Sequence, residues 1–347
     1  MAFRRDVPPL EKLVFKSITK SVRHADKLIN DETVERMHRI VKPSKSRSHK
    51  VKQEVIRALL LGGRLSDNTL PDSYFHPSMT RLEFIGAKIT TKFITRVSKI
   101  CPKLHTVNLS GCFRLTDDAI EVLLKNCTEI RDLNIENCRK LTDLSLDHMR
   151  KLAPKLQSFD VGGNFNMTMA GITKLIEKHP NHSKFHKVHI AGHAVTDQTL
   201  KVIMAKCRKL HSISIGYCAV SDDAIMTLLR KRDSVSRLNV HWNTGITDQL
   251  LHFVANECPN IQEISFCGVK TITADAIAST INTKMGTGLE HDAAAAAAAG
   301  GGGGDQEAEV QAPERKRLKK VDFRYTAVTK ELAATLRERH PDLQAIY

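Results

Sequence analysis

The stretch HPNHSKFHKVHIAGH, residues 179–193, places five histidines in fifteen positions. Neutral imidazole is a common ligand for Zn²⁺ and other transition metals, so metal coordination is the first chemistry that this stretch suggests. The chain also contains eight cysteines, which could add thiolate ligands. Zinc needs four converging side chains, yet no CxxC pair occurs anywhere in the chain. The hypothesis therefore depends on which elements position these side chains.

A repeating pattern organises most of the chain. Each copy has apolar residues at offsets 0, 3 and 5, and Cys or Asn is common at offset 8. The copies begin at Met79, Leu104, Ile130, Leu156, Phe185, Leu210, Val235, Ile261 and Leu318. Successive starts are 25 to 29 residues apart, apart from a last interval of 57 that holds one repeat and an insertion. A fixed period of this length is typical of a solenoid.

Each repeat predicts a strand followed by a helix. Offsets 3 and 5 alternate with polar residues, so Val107 and Leu109 should point inward and Asn108 outward. About twelve residues further on, Thr or Ser with Asp provides an N-cap and acidic charge for a helix. One unit cannot bury both apolar faces alone, so the units must stack. We predict an α/β solenoid with parallel strands at offsets 2–6 on a concave face and helices on the convex face.

The offset-5 residues are the predicted core. They are Leu109, Ile135, Val161, Ile190, Ile215 and Val240.

The repeat also explains the cysteines and histidines. Four cysteines lie three residues before a segment, three lie at offset 8, and Cys267 lies at offset 6. This regularity predicts buried packing residues that satisfy neighbouring backbone groups. His193 takes the offset-8 position, whereas His186 and His189 fall at offsets 1 and 4 and should point in different directions. We therefore predict no metal site and no cofactor.

Several segments of the chain resemble known protein families. CPKLHTVNLSGCFRLTDDAI (101–120) and CRKLHSISIGYCAVSDDAI (207–225) resemble the cysteine-containing leucine-rich repeats, and the likeness covers residues 79–347. It implies a right-handed horseshoe with a parallel concave sheet. GRLSDNTL and FHPSMTRLEF are similar to the antagonist-of-mitotic-exit-network family. Many proteins with this repeat carry an F-box that recruits the adaptor subunit of cullin ubiquitin ligases, and VPPLEKLVFKSI matches that motif loosely.

The charge lies on appendages of the predicted solenoid. Residues 1–64 hold sixteen Lys or Arg against seven Asp or Glu, and we expect basic helices that cap the solenoid, residues 65–347, or dock another protein. The run ERKRLKK (314–320) is either a solvated loop edge or a nuclear import signal. Because the rest of the chain is nearly neutral, nucleic-acid binding is disfavoured.

The composition also predicts one disordered segment and the cellular location of the protein. Residues 286–313 are rich in Ala and Gly, which predicts a disordered insertion. The sequence has no run of about 18 apolar residues, so we expect no transmembrane helix. We expect a cytoplasmic protein, with the nucleus as the alternative, that works as a monomer within a complex.

The sequence predicts a binding protein rather than an enzyme. It has no GxSxG motif, and GGGGG lacks the Lys-Ser/Thr of a phosphate-binding loop. We expect a protein-interaction adaptor, and the resemblance implies a substrate-recognition or regulatory subunit linked to cullin-type ubiquitin ligation or cell-cycle control. The alternative is a structural component of a large ribonucleoprotein or cytoskeletal (axonemal) assembly, docked through the basic N-terminus.

One position suggests where a partner binds. Offset 7 is mostly Gly or Asn, but it becomes Tyr217 and then Trp242 in neighbouring repeats, with His241 beside them. Tyr and Trp are favoured interface anchors. We predict that these residues, with Asp160 and His189 at offset 4, form the centre of a protein-binding face. In the alternative, Trp242 only packs over the turn of the neighbouring repeat.

Overall fold

A computed structural model describes residues 65–286 and 316–347, except Thr69, Pro71 and Ala194. The helices expected in residues 1–64 and nearly all of the expected insertion lie outside the described residues. The chain divides into two compact units, Met1–Lys155 and Leu156–Tyr347.

The first unit is built from three strand–helix repeats. After a short 3-10 helix at Asp72–Tyr74, its elements are β1 (Arg81–Glu83), α1 (Thr91–Ile100), β2 (Thr106–Asn108), α2 (Asp117–Asn126), β3 (Asp132–Asn134) and α3 (Asp143–Leu152). The strand β1 pairs with β2 and β2 with β3, both in parallel. An isolated parallel bridge joins Ser66 to Lys88 ahead of this ladder.

The second unit continues the same alternation. Its elements are β4 (Ser158–Asp160), α4 (Met169–Lys178), a 3-10 helix at His182–Lys184, β5 (Lys187–His189), α5 (Asp197–Lys206), β6 (Ser212–Ser214), α6 (Asp222–Lys231), β7 (Arg237–Asn239), α7 (Asp248–Glu257), β8 (Glu263–Ser265), α8 (Ala274–Met285), β9 (Lys320–Asp322), α9 (Lys330–Arg339) and β10 (Gln344–Ile346). Strands β4 to β10 pair in chain order, all in parallel. Among the helices that the structure describes, none has the length and apolar character needed to cross a bilayer.

The predicted register of the repeats is confirmed. Each of the six offset-5 core residues is at most 1% exposed. The strands are shorter than expected, because only offsets 2–4 form the ladder. Offset 5 still bonds to the next repeat, as when Leu109 N donates to the carbonyl of Asn134 at 2.7 Å. The α/β leucine-rich-repeat solenoid predicted from the sequence is thus the fold observed.

Offset 8 forms a second ladder of hydrogen bonds. Cys112 Sγ donates to the Phe84 carbonyl at 2.8 Å, and Cys138 Sγ to the Leu109 carbonyl at 3.1 Å. His193 Nε2 lies 2.8 Å from the Val161 carbonyl in the same geometry. In each case the acceptor is the offset-5 carbonyl of the preceding repeat. The prediction that offset 8 satisfies backbone groups is confirmed. Asn243 Nδ2 donates to the Ile215 carbonyl at 2.9 Å, so thiol, amide and imidazole groups all take this role in different repeats.

A third link joins the helix N-termini of adjacent repeats. The carboxylate of Asp117 accepts hydrogen bonds from Thr142 N at 2.9 Å and Thr142 Oγ1 at 2.8 Å. It also accepts from the N–H and hydroxyl of Ser145. The same link joins Asp67 to Thr90, Asp197 to Ser221, Asp222 to Thr247 and Asp248 to Thr273. The Asp of the Thr-Asp motif therefore binds the next repeat, and the Thr or Ser that it contacts there caps the helix of that next repeat. The sequence alone did not reveal this link.

Candidate protein-binding site

The offset-7 residue of every repeat has the left-handed backbone conformation. The residues and φ values are Gly86 (69°), Gly111 (72°), Asn137 (56°), Gly163 (69°), Gly192 (79°), Tyr217 (56°), Trp242 (55°), Gly268 (71°) and Tyr325 (59°). Glycine adopts this conformation freely and Asn with modest cost, whereas other L-residues lose about 1–2 kcal/mol. Three repeats of the second unit thus hold a bulky aromatic residue in a strained position.

The three strained aromatic side chains form one continuous row, the aromatic ladder, defined as Tyr217, Trp242 and Tyr325. The centroids of Tyr217 and Trp242 are 6.0 Å apart with an interplanar angle of 7°. Those of Trp242 and Tyr325 are 5.8 Å apart at 33°. Tyr217 is 59% exposed and Tyr325 is 68% exposed. Rings this open cannot serve mainly as core, and their strain must be offset by another benefit.

Glycines in the same unit make room for the ladder. A Cβ on Gly268 would overlap the indole of Trp242, so the ring lies over this glycine and reaches Tyr325 across it. A Cβ on Gly216 would similarly overlap the imidazole of His241. The position of Trp242 therefore agrees with the predicted alternative, in which it packs over the turn of the neighbouring repeat. The rings of Tyr217 and Tyr325 on either side of it nevertheless remain exposed.

His241 supports the ladder from the sheet side. Its ring meets Tyr217 edge-on, with centroids 5.1 Å apart, and its Nδ1 lies 2.6 Å from Asn239 Oδ1. Burial lowers the pKa of His241 below its ordinary value, although the charge of Asp322 acts in the opposite direction. A neutral imidazole donates this bond from Nδ1, because the amide oxygen only accepts. The Asp322 carboxylate itself binds Arg324 Nε and Nη2 at 3.0 and 2.8 Å. The ladder is therefore bordered by groups whose charges are largely compensated.

Asp160 and His189 lie on neighbouring strands and form a hydrogen-bonded chain with Ser212. His189 Nδ1 is 3.0 Å from Asp160 Oδ2, and His189 Nε2 is 2.9 Å from Ser212 Oγ. The carboxylate can only accept, so Nδ1 carries the proton and Nε2 accepts from the serine hydroxyl. Burial lowers the pKa of His189 despite the opposing effect of Asp160, which keeps the ring neutral.

The order Asp–His–Ser is that of a hydrolase triad, but the surroundings differ. Ser212 is 2% exposed, so a substrate carbonyl cannot reach its hydroxyl. Asp160 is itself only 8% exposed, and its carboxylate also accepts from Gly162 N. The hydrogen bonds among Asp160, His189 and Ser212 therefore have a structural role, which is to hold neighbouring strands of the sheet together. Of the five predicted site residues, the structure brings Tyr217, His241 and Trp242 into direct contact, and pairs Asp160 with His189.

The histidine-rich stretch does not converge on one point. His179 is buried with its ring centroid 4.9 Å from that of Phe185, and His182 Nδ1 faces the Lys206 carbonyl at 3.4 Å. His189 and His193 bind the separate partners given above. Across residues 65–286 and 316–347, no three His, Cys, Asp or Glu side chains are grouped as metal ligands would be.

Tyr325 is the residue of the aromatic ladder that the sequence analysis missed. It occupies offset 7 of the last repeat, but the 57-residue interval separates it from the preceding segment. Following offset 7 through Gly268 to Tyr325 would have revealed it. Gly268 interrupts the series of aromatic residues at offset 7 in the sequence. In the structure, its lack of a side chain lets Trp242 contact Tyr325.

One of the comparisons with known proteins supports the fold. No family model matches the chain. The DNA repair protein rhp7 of Schizosaccharomyces pombe is 21% identical over 247 residues, covering 69% of this chain and 43% of rhp7. The chain thus spans less than half the length of this curated relative. A crystal structure of the Rad7 and Elc1 complex in yeast matches with a TM-score of 0.55 at 12% identity, covering 98% of this chain and 93% of that one. An internalin (inlF) from Listeria monocytogenes has a TM-score of 0.41, too low to carry an argument.

Proposed function

We propose that this chain is a non-catalytic adaptor that binds a partner protein through the sheet face of its second unit. The observation that carries this proposal is the aromatic ladder, where Tyr217, Trp242 and Tyr325 hold positions that favour glycine. Strain of this kind persists where function requires it. Stacked Tyr and Trp rings at a solvated edge supply the large, rigid contact area of interface hot spots.

The sheet face supports binding rather than catalysis. The Asp160–His189–Ser212 arrangement on this face holds its serine at 2% exposure. Asp160 and His189 lie opposite each other on β4 and β5 of the same unit, and we propose that they set the orientation of the partner. The face that bears them is the one expected to be concave.

A ubiquitin-ligase role is the more specific part of the proposal. The resemblance to F-box-type repeat proteins suggests it, and the similar Rad7 chain was crystallised in a complex with another protein, Elc1. We propose that this chain is a substrate-recognition or regulatory subunit of a cullin-type ligase. Because the relative rhp7 is named a DNA repair protein, we propose the nucleus as one place of action.

The basic run does not by itself support nuclear import. Within it, Leu318 is buried, and Lys320 begins β9. Lys316 N and Lys319 N donate to the carbonyls of Pro259 and Gln262. This arrangement favours the solvated-edge interpretation over an accessible import signal.

Affinity purification of the full chain tests the proposal. Wild type should recover a stoichiometric partner that Trp242→Gly loses, while Leu144→Ser, which replaces another exposed apolar side chain (59% exposed), retains it. Recovery of a cullin and its adaptor would support the ligase role. Recovery of a large ribonucleoprotein or cytoskeletal particle would support the alternative. Equal recovery by the wild type and both variants would contradict a binding site on the ladder.

A further inference from the structure

The edge of the sheet where the strands of the second unit begin is strongly basic. We define the basic edge as the Lys and Arg residues at offsets −2 to 2 of the five repeats that begin at Phe185, Leu210, Val235, Ile261 and Leu318. They are Lys184, Lys187, Arg208, Lys209, Arg237, Lys316, Arg317, Lys319 and Lys320. At these offsets of the same five repeats, only Asp233 and Glu263 oppose them. The aromatic ladder lies at the opposite edge, where the strands end.

The first unit lacks this asymmetry. At the same offsets its three repeats carry three cations, Arg81, Lys103 and Arg131, against the acids Glu129 and Asp132. The excess of positive charge at these offsets is therefore one in these three repeats and seven in the five repeats of the basic edge. The basic edge and the aromatic ladder occur in the same unit, which links them to one surface.

The basic edge extends onto the sheet face. Register places Lys187 opposite Ser212 and Ser212 opposite Arg237, so two cations flank a buried serine on strands about 10 Å apart. Arg237 Nη1 is 4.0 Å from Glu263 Oε1, with both side chains more than 40% exposed. Such a long, exposed pair contributes little stability, so the Arg237 guanidinium can exchange Glu263 for a carboxylate of a partner.

The spacing of the two edges fits an extended peptide. Offsets 2 and 7 are five positions apart, so at most about 16 Å separates these two edges along the chain. An extended peptide of about five or six residues spans this distance and can present charge at one end and an apolar side chain at the other. We propose that the second unit binds an extended acidic segment of its partner, with carboxylates on the basic edge and an apolar residue on the aromatic ladder. This inference rests on the proposed function, because it names the partner's chemistry for the same face.

Single-stranded nucleic acid fits the same surface less well. Proteins that bind it place aromatic rings beside the cations that hold the phosphates, so that each base stacks next to its own backbone. Here the rings and the cations lie on opposite edges. Asp233 and Glu263 also interrupt the cations, which suits a few discrete carboxylates better than a continuous phosphate chain.

A phage-displayed library of random 12-residue peptides, selected on the immobilised full chain, tests the inference. Enriched peptides should be net negative, with an apolar residue four to six positions from the acidic cluster. Their affinities would be measured for wild type, for the triple variant Lys187→Glu, Arg237→Glu, Lys320→Glu, and for Trp242→Gly. A matched control, Lys178→Glu, Lys201→Glu, Lys231→Glu, makes the same charge change at exposed helix positions of the same unit.

The basic-edge variant should weaken binding by about tenfold or more, and the helix control should not. Salt near 1 M, where the Debye length is about 3 Å, should weaken wild-type binding similarly. Enrichment of neutral or basic peptides, or equal binding by the basic-edge variant, would overturn the inference. If the basic-edge variant bound peptides normally but Trp242→Gly did not, the inference would fail and the proposed function would remain supported. If neither variant weakened peptide binding, the inference and the proposed function would both fail. Tighter, competitive binding of oligothymidylate would assign the basic edge to nucleic acid instead.

Discussion

The indole of Trp242 lies over the backbone of Gly268, so that a single added methyl group at Gly268 would overlap the ring. Both residues occupy offset 7 of adjacent repeats, with φ of 55° and 71°. Glycine is therefore needed at position 268 for two reasons. It adopts the left-handed conformation without strain, and its lack of a side chain leaves room for the indole of Trp242.

Gly268→Ala should displace Trp242, whereas Gly86→Ala should not. Both glycines have left-handed φ, and each substitution should cost about 1 kcal/mol of backbone strain. Only at Gly268 would the new methyl also meet the indole, since Gly86 has open space around it. Trp242 is the single tryptophan of the chain, so its emission reports on the ladder alone. A red shift in the Gly268 variant only is expected, and identical spectra would show that the ring is not held there.

Tyr217→Gly should leave stability nearly unchanged while reducing partner binding. Relief of the left-handed conformation contributes about 1–2 kcal/mol, which offsets the loss of ring contacts worth about 0.5–1.5 kcal/mol per aromatic pair. The expected change in the free energy of unfolding, measured by urea titration, is within about 1 kcal/mol. A loss of about 3 kcal/mol or more, as for a truncated core aromatic, would mean that Tyr217 serves packing.

Asp117→Ala should destabilise the protein much more than Asp118→Ala. The Asp117 carboxylate accepts four hydrogen bonds from Thr142 and Ser145 of the next repeat, while the adjacent Asp118 is exposed. Leaving these donors without an acceptor should cost about 2–3 kcal/mol. Chemical denaturation of the two variants measures the difference. Equal effects would show that first-turn charge, rather than the link between repeats, is what matters.

The offset-8 thiols should be unreactive in the folded protein. Burial raises the pKa of Cys112 and of Cys138 to about 12, from an ordinary value near 9. The folded state therefore holds protons that the unfolded state releases between these values, so stability should fall as pH rises above about 9. Thiol titration at pH 8 should detect these groups only after denaturant is added. Rapid labelling of either cysteine in the native state would contradict their place in the hydrogen-bond ladder.

The fold could be predicted because the repeat fixes burial residue by residue. Leu109 and its equivalents follow the two-residue period of a strand, and this local rule holds in every repeat. The Asp117 to Thr142 link could not be read in the same way. It joins residues 25 positions apart, and its sequence pattern is equally well explained by local helix capping.

The site was predicted only in part for a similar reason. Tyr217 and Trp242 are neighbours in the repeat alignment, so their proximity was visible in the sequence. Their left-handed conformation and the contact with Tyr325 depend on three-dimensional packing across Gly268. The burial of Asp160 was also hidden, because an outward strand position can be covered by side chains of adjacent strands.

The central claim is that the aromatic ladder contacts the partner, and ¹⁹F NMR tests it most directly. A chain labelled with 5-fluorotryptophan gives one resonance, from Trp242, while the unlabelled partner recovered by affinity purification gives none. Addition of that partner should shift or broaden the resonance in proportion to complex formed. An unchanged resonance, in a sample where the two proteins co-elute as one complex, would place the binding site away from the ladder.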